Sequence, residues 1–417
     1  MLEIDMCRIE IKNIDRGPYT EKNVHIIANN TKDALLALKK SKDKGSYILQ
    51  HTFFTGFLLD EELLTIENCI ADEITNIFDE KNIPLPGVIL QKPALGKFSY
   101  ECLMITPKDK DVSVEYKKAN GVTYALVNDG ELKWIYAVGL KGDTKINDIT
   151  TQSQEALVKM KTVLDAEGLS FSKVLRQWNY VPGIVNVSSK GRQHYQEFND
   201  VRAEFYENND FPNGYPAATG IGTIGGRVTI NFIALETGVR KDVIIRKIKN
   251  SFQIDPHVYS DEKLVGNTTK EHEEKKTPKF ERGKLVIIPR GNKWDGRMYI
   301  SGTASIRGED DVSINKTDKQ TKVTLSNIEN LISGENIMIE NGLKAETTRL
   351  NATATLDDII YLRTYIKNIK DASTIDNAIG SKFKFHNLVE ADICRPGLLV
   401  EIEGEAVLHV KKQGSTI

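Results

Sequence analysis

Ala391-Asp392-Ile393-Cys394-Arg395-Pro396-Gly397-Leu398-Leu399-Val400-Glu401-Ile402-Glu403-Gly404 lies close to the C-terminus, and its second half reads as a strand. Val400, Ile402 and Gly404 fall on one face, and Glu401, Glu403 and Glu405 on the other. A carboxylate on a strand that leaves an arginine and a thiol is a candidate acid whose surroundings can tune it. The strand also has a counterpart upstream, where Val228-Thr229-Ile230 parallels Val400-Glu401-Ile402.

That parallel extends outward into a duplicated unit. The first copy reads as strand Trp134 to Val138, helix Gln152 to Leu164, strand Val174 to Val181, helix Tyr195 to Tyr206 and strand Arg227 to Leu235. The second reads as strand Met298 to Ser301, helix Gln320 to Leu331, strand Ile359 to Ile366, helix Ala372 to Phe383 and strand Leu398 to Val407. Leu175-Arg176 recurs as Leu362-Arg363 in aromatic-rich alternating strands. The expected organisation is an N-terminal region (1–125), a first unit (126–255), a charged linker or loop (256–284) and a second unit (285–417). The N-terminal region shows a helix near Glu61 to Glu80 and a strand at Phe98 to Thr106. Lys270-Glu271-His272-Glu273-Glu274-Lys275-Lys276 reads as solvated, with His272 a surface residue. An insertion at 334–354 reads as a hairpin or loop.

The chain has 417 residues, 40% hydrophobic and 27% charged, with a net charge of −2. That is the profile of a globular protein of two or three domains, and gives no support to nucleic-acid or membrane-surface binding. No apolar run approaches the ~20 residues of a membrane span, and no signal peptide is evident, so a cytoplasmic protein is expected. Cys7, Cys69, Cys102 and Cys394 are far apart and suggest neither a disulfide framework nor a zinc site.

Gly220-Ile221-Gly222-Thr223-Ile224-Gly225 has the spacing of a dinucleotide fingerprint, but a β-branched stretch follows it where a helix is required. Its glycines are expected to shape a turn, or to let a ligand or another backbone come close. In the helix from Tyr195 to Tyr206, one face carries Tyr195, Phe198, Arg202 and Phe205. Arg202 there either forms a structural ion pair or holds a substrate carboxylate. Arg176, Trp178 and Tyr180 share a strand face, echoed by Arg363 and Tyr365. Such a face either lines a cavity for a flat anion or packs with the guanidinium stacked on Trp178. No histidine partners Cys394, so it is not read as a nucleophile.

Together these segments resemble the chorismatase family. The resemblance rests on Arg176-Gln177-Trp178-Asn179-Tyr180, Tyr195-Gln196-Glu197-Phe198-Asn199, Pro216-Ala217-Ala218-Thr219-Gly220-Ile221-Gly222, Ile300-Ser301-Gly302-Thr303-Ala304-Ser305-Ile306 and Cys394 to Gly404, in that order. After Ile306 the chain departs from the family pattern with Arg307-Gly308-Glu309-Asp310-Asp311. The resemblance implies an α+β fold of tandem RidA-like units, each a mixed sheet with helices on one face. It implies chorismate, a dicarboxylate, as substrate, and loss of its enolpyruvyl group as pyruvate after protonation of the methylene carbon. Glu401 matches the family's proton donor, and Thr229 stands in its place in the first copy, so one site per chain is expected. Its pKa must be raised by burial, with arginines near but not paired to it.

Arg202, Tyr180, Tyr195, Arg176, Gly302, Arg363 and Arg395 are the candidate substrate-binding residues. Cys394 and Gly302 resemble the hydroxybenzoate-forming branch, so 3-hydroxybenzoate is the expected product, 4-hydroxybenzoate a candidate co-product, and Cys394 a product selector. The alternatives are hydrolysis to a dihydroxycyclohexadienoate, a RidA-like enamine/imine deaminase, or a non-catalytic binding protein. Neither metal nor organic cofactor is expected. The assembly is either a monomer or a RidA-like trimer.

Overall fold

The computed structural model describes residues 2–4, 7–56, 60–78, 83–142, 148–264, 268, 274–340, 350–379, 383 and 385–412. His272 and the middle of the charged segment, residues 341–349 of the insertion, and residues 79–80 and 380–382 of the helices expected to reach Glu80 and Phe383 lie outside them.

Three mixed sheets form the frame, one more than the duplication predicts. In the second, hairpin strands Val122–Asp129 and Leu132–Lys141 lead into helix Ile149–Ala166, strand Val174–Pro182 and helix His194–Glu207. Strand Ala217–Thr223 then pairs parallel to Val174–Pro182, and Thr229–Glu236 inserts between that strand and the hairpin. The third sheet repeats this order with Gly283–Arg290, Lys293–Ala304, Thr317–Ile332, Ile359–Ile366, Ala372–Ile379, His386–Glu390 and Val400–Val407. The N-terminal region repeats it again, with Cys7–Asp15, Tyr19–Ala28, Thr31–Ser41, Tyr47–Thr55, Asp60–Ile77, Gly87–Leu90 and Phe98–Pro107. The N-terminal region is therefore a third copy. Its pattern of elements matches while its sequence carries almost none of the identities that betray the other two.

Strand register corrects one sequence equivalence. Thr229 lies opposite Tyr180, and Glu401 opposite Tyr365, in the corresponding ladders. With Thr229 and Glu401 equivalent, Trp178 takes the place of Arg363, so matching Arg176 to Arg363 is two residues out. In the N-terminal copy Ser99 lies opposite Phe54, which makes Ser99 the third member of the Thr229/Glu401 set.

Each sheet packs its helices on one face: Leu35 and Ile74 in the first unit, Leu157 and Phe198 in the second, Ile328 and Ile375 in the third. The opposite faces meet in one central core that contains Phe54, Tyr180 and Tyr365 together with Trp134 and Tyr299. With both faces covered, inward polar side chains must find partners inside the protein. Glu21, Asp295, Arg297 and Arg16 form one such buried cluster, and Arg176, Glu403, Arg363 and Glu101 another.

Candidate active site

The outward alternation of Val400, Ile402 and Gly404 sends Glu401, Glu403 and Glu405 towards the other units, and the three meet different partners. Glu403 is fully buried and accepts from Arg176 Nη2 (2.6 Å), Arg363 Nη1 (2.6 Å), Trp178 Nε1 (2.8 Å) and the Tyr365 hydroxyl (3.0 Å). These partners hold its carboxyl below the ordinary range although burial alone pushes the other way. Glu405 bonds Arg16 at 2.8 Å. Glu401 is also buried, yet makes no ion pair with any described residue. Burial, then repulsion from Glu403, pushes its pKa up to about 8, against the opposing fields of Arg176 and Arg282. It is a carboxyl kept protonated at neutral pH.

Gly302 makes room for it. The Lys293–Ala304 strand bulges opposite Glu403, and a Cβ built on Gly302 would overlap the Glu401 carboxyl and lie 3.1 Å from Thr219 Cγ2. The Gly302 N–H donates to Thr219 Oγ1 across the unit boundary at 3.0 Å. The other wall comes from the second unit. Tyr195 lies against Gly220, where a Cβ would meet its ring at 2.6 Å, and Gly222 N–H donates to the Asp392 carbonyl at 2.8 Å. These glycines sit in the Ala217–Thr223 strand rather than in a turn, and they admit a side chain and a backbone respectively.

The resulting cavity lies between the second and third units and is lined by Glu401, Gly302, Cys394, Arg395 and Tyr195 of the expected residues. Cys394 carries a neutral thiol, its pKa pushed up to about 12 by burial and by Glu401, which is no state for a nucleophile. Arg395 bonds Asp311 Oδ1 (2.8 Å) and the Glu309 carbonyl (2.7 Å), so the divergent loop after Ile306 anchors a cavity arginine. Its Nη2 is buried without a partner. Arg202 sits behind Asn199, which lines the cavity and accepts from it at 2.7 Å. It is 1% exposed, stacks on Phe198, and has no carboxylate within ion-pair reach among the described residues.

Arg176, Tyr180 and Arg363 do not line the cavity. They belong to the cluster around Glu403, with Arg363 also paired to Glu101 and bonded to the Tyr180 hydroxyl at 3.1 Å. Arg176 stacks over Trp178 at 4.5 Å, the packed arrangement rather than the cavity-lining one.

Arg282 is the residue that sequence reading missed. It lines the cavity, bonds the Tyr259 hydroxyl (2.6 Å) and the Ile254 carbonyl, and has no carboxylate partner among the described residues. Leu264, Pro278 and Phe280 line the cavity beside it, so both ends of the supposed solvated linker build the site. Local charge concealed this: a lysine- and glutamate-rich run signals solvent, while its flanks pack. Nearby, Asp255, His257 and Glu281 place one possible metal-ligand atom each within 4.8 Å of one another, and no step below involves them.

Residues 109–234 match the family model described as chorismatase FkbO/Hyg5-like, N-terminal. The chain is 28% identical over 298 residues to a 3-hydroxybenzoate synthase of Streptomyces hygroscopicus, covering 70% of this chain and 78% of that protein. It is 31% identical over 240 residues to a chorismatase of Streptomyces rapamycinicus, covering 57% of this chain and 64% of that one. A crystal structure of a chorismatase superposes with a TM-score of 0.63 at 20% identity, over 97% of this chain and all of that one, which shows a shared fold. Among the described residues no helix is long and apolar enough to cross a membrane. The family model, these relatives and a fold that agrees over nearly the whole molecule all point the same way: the chain is similar to the chorismatases.

Proposed function

We propose that the protein converts chorismate to 3-hydroxybenzoate and pyruvate, with Glu401 as the proton donor. The observation that carries this reading is a buried carboxyl, held protonated and free of any ion pair with a described residue, facing a cavity edged by guanidinium groups. Cleavage of an enol ether begins with proton transfer to its methylene carbon, which leaves an oxocarbenium ion. A neutral carboxyl supplies that proton, and the carboxylate it becomes stabilises the adjacent cation. Arg176 and Arg282, whose fields favour the ionised form, assist the transfer without quenching the acid beforehand.

Arg282 and Arg395 are the groups placed to bind the two substrate carboxylates, while Arg202 fixes Asn199 and adds positive potential. Loss of the ring hydroxyl as water balances the water consumed in releasing pyruvate, so hydroxybenzoate formation needs no net water. Gly302 and Cys394 leave room beside Glu401 for the ring to shift towards that internal route, and the 3-hydroxybenzoate synthase relative supports the same product. All the groups named come from one chain, so a monomer can hold the complete site.

Incubation of the purified protein with chorismate, followed by chromatography of pyruvate and ring products, tests the assignment. Equimolar pyruvate and 3-hydroxybenzoate are expected; unchanged chorismate refutes it, and a dihydroxycyclohexadienoate moves the protein to the hydrolytic reaction.

A further inference from the structure

Three repeated units make three corresponding clefts, and they have different contents. Between the first and second units the cleft is closed, with the Gly87 and Gly139 backbones in contact. Between the second and third lies the Glu401 cavity. Between the third and first lies a cavity of about 330 Å³, larger than the one above Glu401. Its mouth carries exposed Leu95, its walls include Phe383 and Leu388, and its polar floor is Ser99, His25 and Asn387.

This floor is the Glu401 site rebuilt. Ser99 holds the Glu401 position, as the ladder registers show. His25 lies opposite Glu101, as the Gly302 bulge lies opposite Glu403. At one site a bare glycine leaves room for a long acid; at the other a short serine leaves room for an imidazole. His25 Nε2 is 2.9 Å from Ser99 Oγ, and His25 Nδ1 is 3.2 Å from Glu10 Oε2. Glu10 is below the ordinary carboxyl range despite the opposing effect of burial, through its contacts with His25 and Arg8. An ionised Glu10 only accepts, so Nδ1 donates to it, and in the neutral imidazole Nε2 is then the nitrogen whose lone pair faces the Ser99 oxygen. The Ser99 hydroxyl donates its single proton to Asn387 Oδ1 at 2.8 Å, and a rotation about its C–O bond turns that proton to His25 Nε2 for attack.

The geometry points to a second, nucleophilic site in which Ser99, His25 and Glu10 cleave small, neutral carboxylic esters. Ser99 Oγ attacks the ester carbonyl carbon as its proton passes to His25 Nε2. Collapse of the tetrahedral intermediate breaks the bond to the alcohol, which leaves with that proton. Water, deprotonated by the same nitrogen, then releases the acid and restores Ser99. Arg8 lines the same cavity, and its Nε–H has no hydrogen-bond partner among the described residues. Arg8 and Glu10 pair with each other at 2.7 Å and burial holds His386 neutral at a pKa of about 4, so the one carboxylate of the lining left without a cation is the exposed Asp376, and the cavity suits neutral rather than anionic substrates.

Full-length protein is treated with a fluorophosphonate and mapped by mass spectrometry, and assayed with p-nitrophenyl acetate and butyrate. The expected result is one label on Ser99, with ester hydrolysis reduced at least about a hundredfold in Ser99→Ala and His25→Ala. Glu10→Gln lowers kcat with KM little changed and displaces the pH profile, as a positioning residue should. Chorismate turnover by Ser99→Ala stays at the wild-type level, which separates this activity from the Glu401 site. Wild-type protein left unlabelled at Ser99, or hydrolysing the esters no faster than Ser99→Ala, overturns the proposal. The labelling arm needs no variant to fold.

Discussion

Glu401, Glu403 and Glu405 are three identical side chains at alternate positions of one strand, and their partners alone separate acid from structural anion. Replacing Glu401 by Gln should reduce chorismate turnover by at least about a thousandfold while leaving ligand affinity within a few-fold, as isothermal titration would show. Near-normal turnover in that variant would sink Glu401 as the donor. The raised pKa also fixes the pH dependence. The fold retains a proton that the unfolded chain releases near 4.5, so this carboxyl costs no stability below that value. Between there and about 8 the cost grows by about 1.4 kcal/mol per pH unit. Glu401→Gln is therefore expected to match the wild type in denaturant titrations near pH 4.5 and to exceed it increasingly towards pH 8. The kcat/KM of the wild type should fall as pH rises through about 8, as the acid of the free protein ionises. Gly302→Ala displaces the Glu401 carboxyl and should cut turnover and alter the product ratio, both read by chromatography. Cys394→Ala, which removes only a neutral thiol, should alter the ratio more than the rate; an unchanged ratio removes its selector role.

At the scale of elements, alternation and helical spacing located the principal strands and helices of the second and third units to within a few residues. They did not locate the register. A one-residue slip turns a strand's faces over and is visible in the pattern; a two-residue slip preserves the faces and is not. That is why Arg176 matches Arg363 in sequence while Trp178 matches it in the sheet. The same alternation cannot say what an inward face meets. Arg176, Tyr180 and Arg363 were candidates for binding substrate, and they surround Glu403 instead, because that strand is covered on both sides. Glu403→Ala should therefore leave the buried Arg176 guanidinium without a counter-charge and Arg363 with Glu101 alone, and lower stability by about 3–5 kcal/mol in denaturant titration. Loss of activity without loss of stability would assign Glu403 to chemistry instead.

For the whole molecule, three units around one core make the N-terminal third a structural requirement. Phe54 and Ile89 enter the shared core, and Lys92–Pro93 extends the third sheet by pairing with Val389 and Glu390. A chain lacking residues 1–108 exposes that core and should be recovered insoluble or without a cooperative melting transition. The full chain, with its three units already assembled, should sediment as a monomer of 46.8 kDa. A trimer by sedimentation would show that the internal arrangement does not exhaust the assembly.

Sequence alone determined what depends on local order: the alternating strands, the amphipathic helices, a repeat of elements, and the motif-bearing segments that pointed to Glu401, Gly302 and Cys394. Tertiary structure decided what depends on contacts between distant segments. It set which glutamate lacks a counter-ion, which arginines face the cavity, that Arg282 joins them from the edge of a charged loop, and that a third copy places Ser99 in the position of the acid. The physical reason is that burial and charge pairing are properties of surroundings. Three glutamates spaced by two are alike in the chain, and differ only once the neighbouring units close over them.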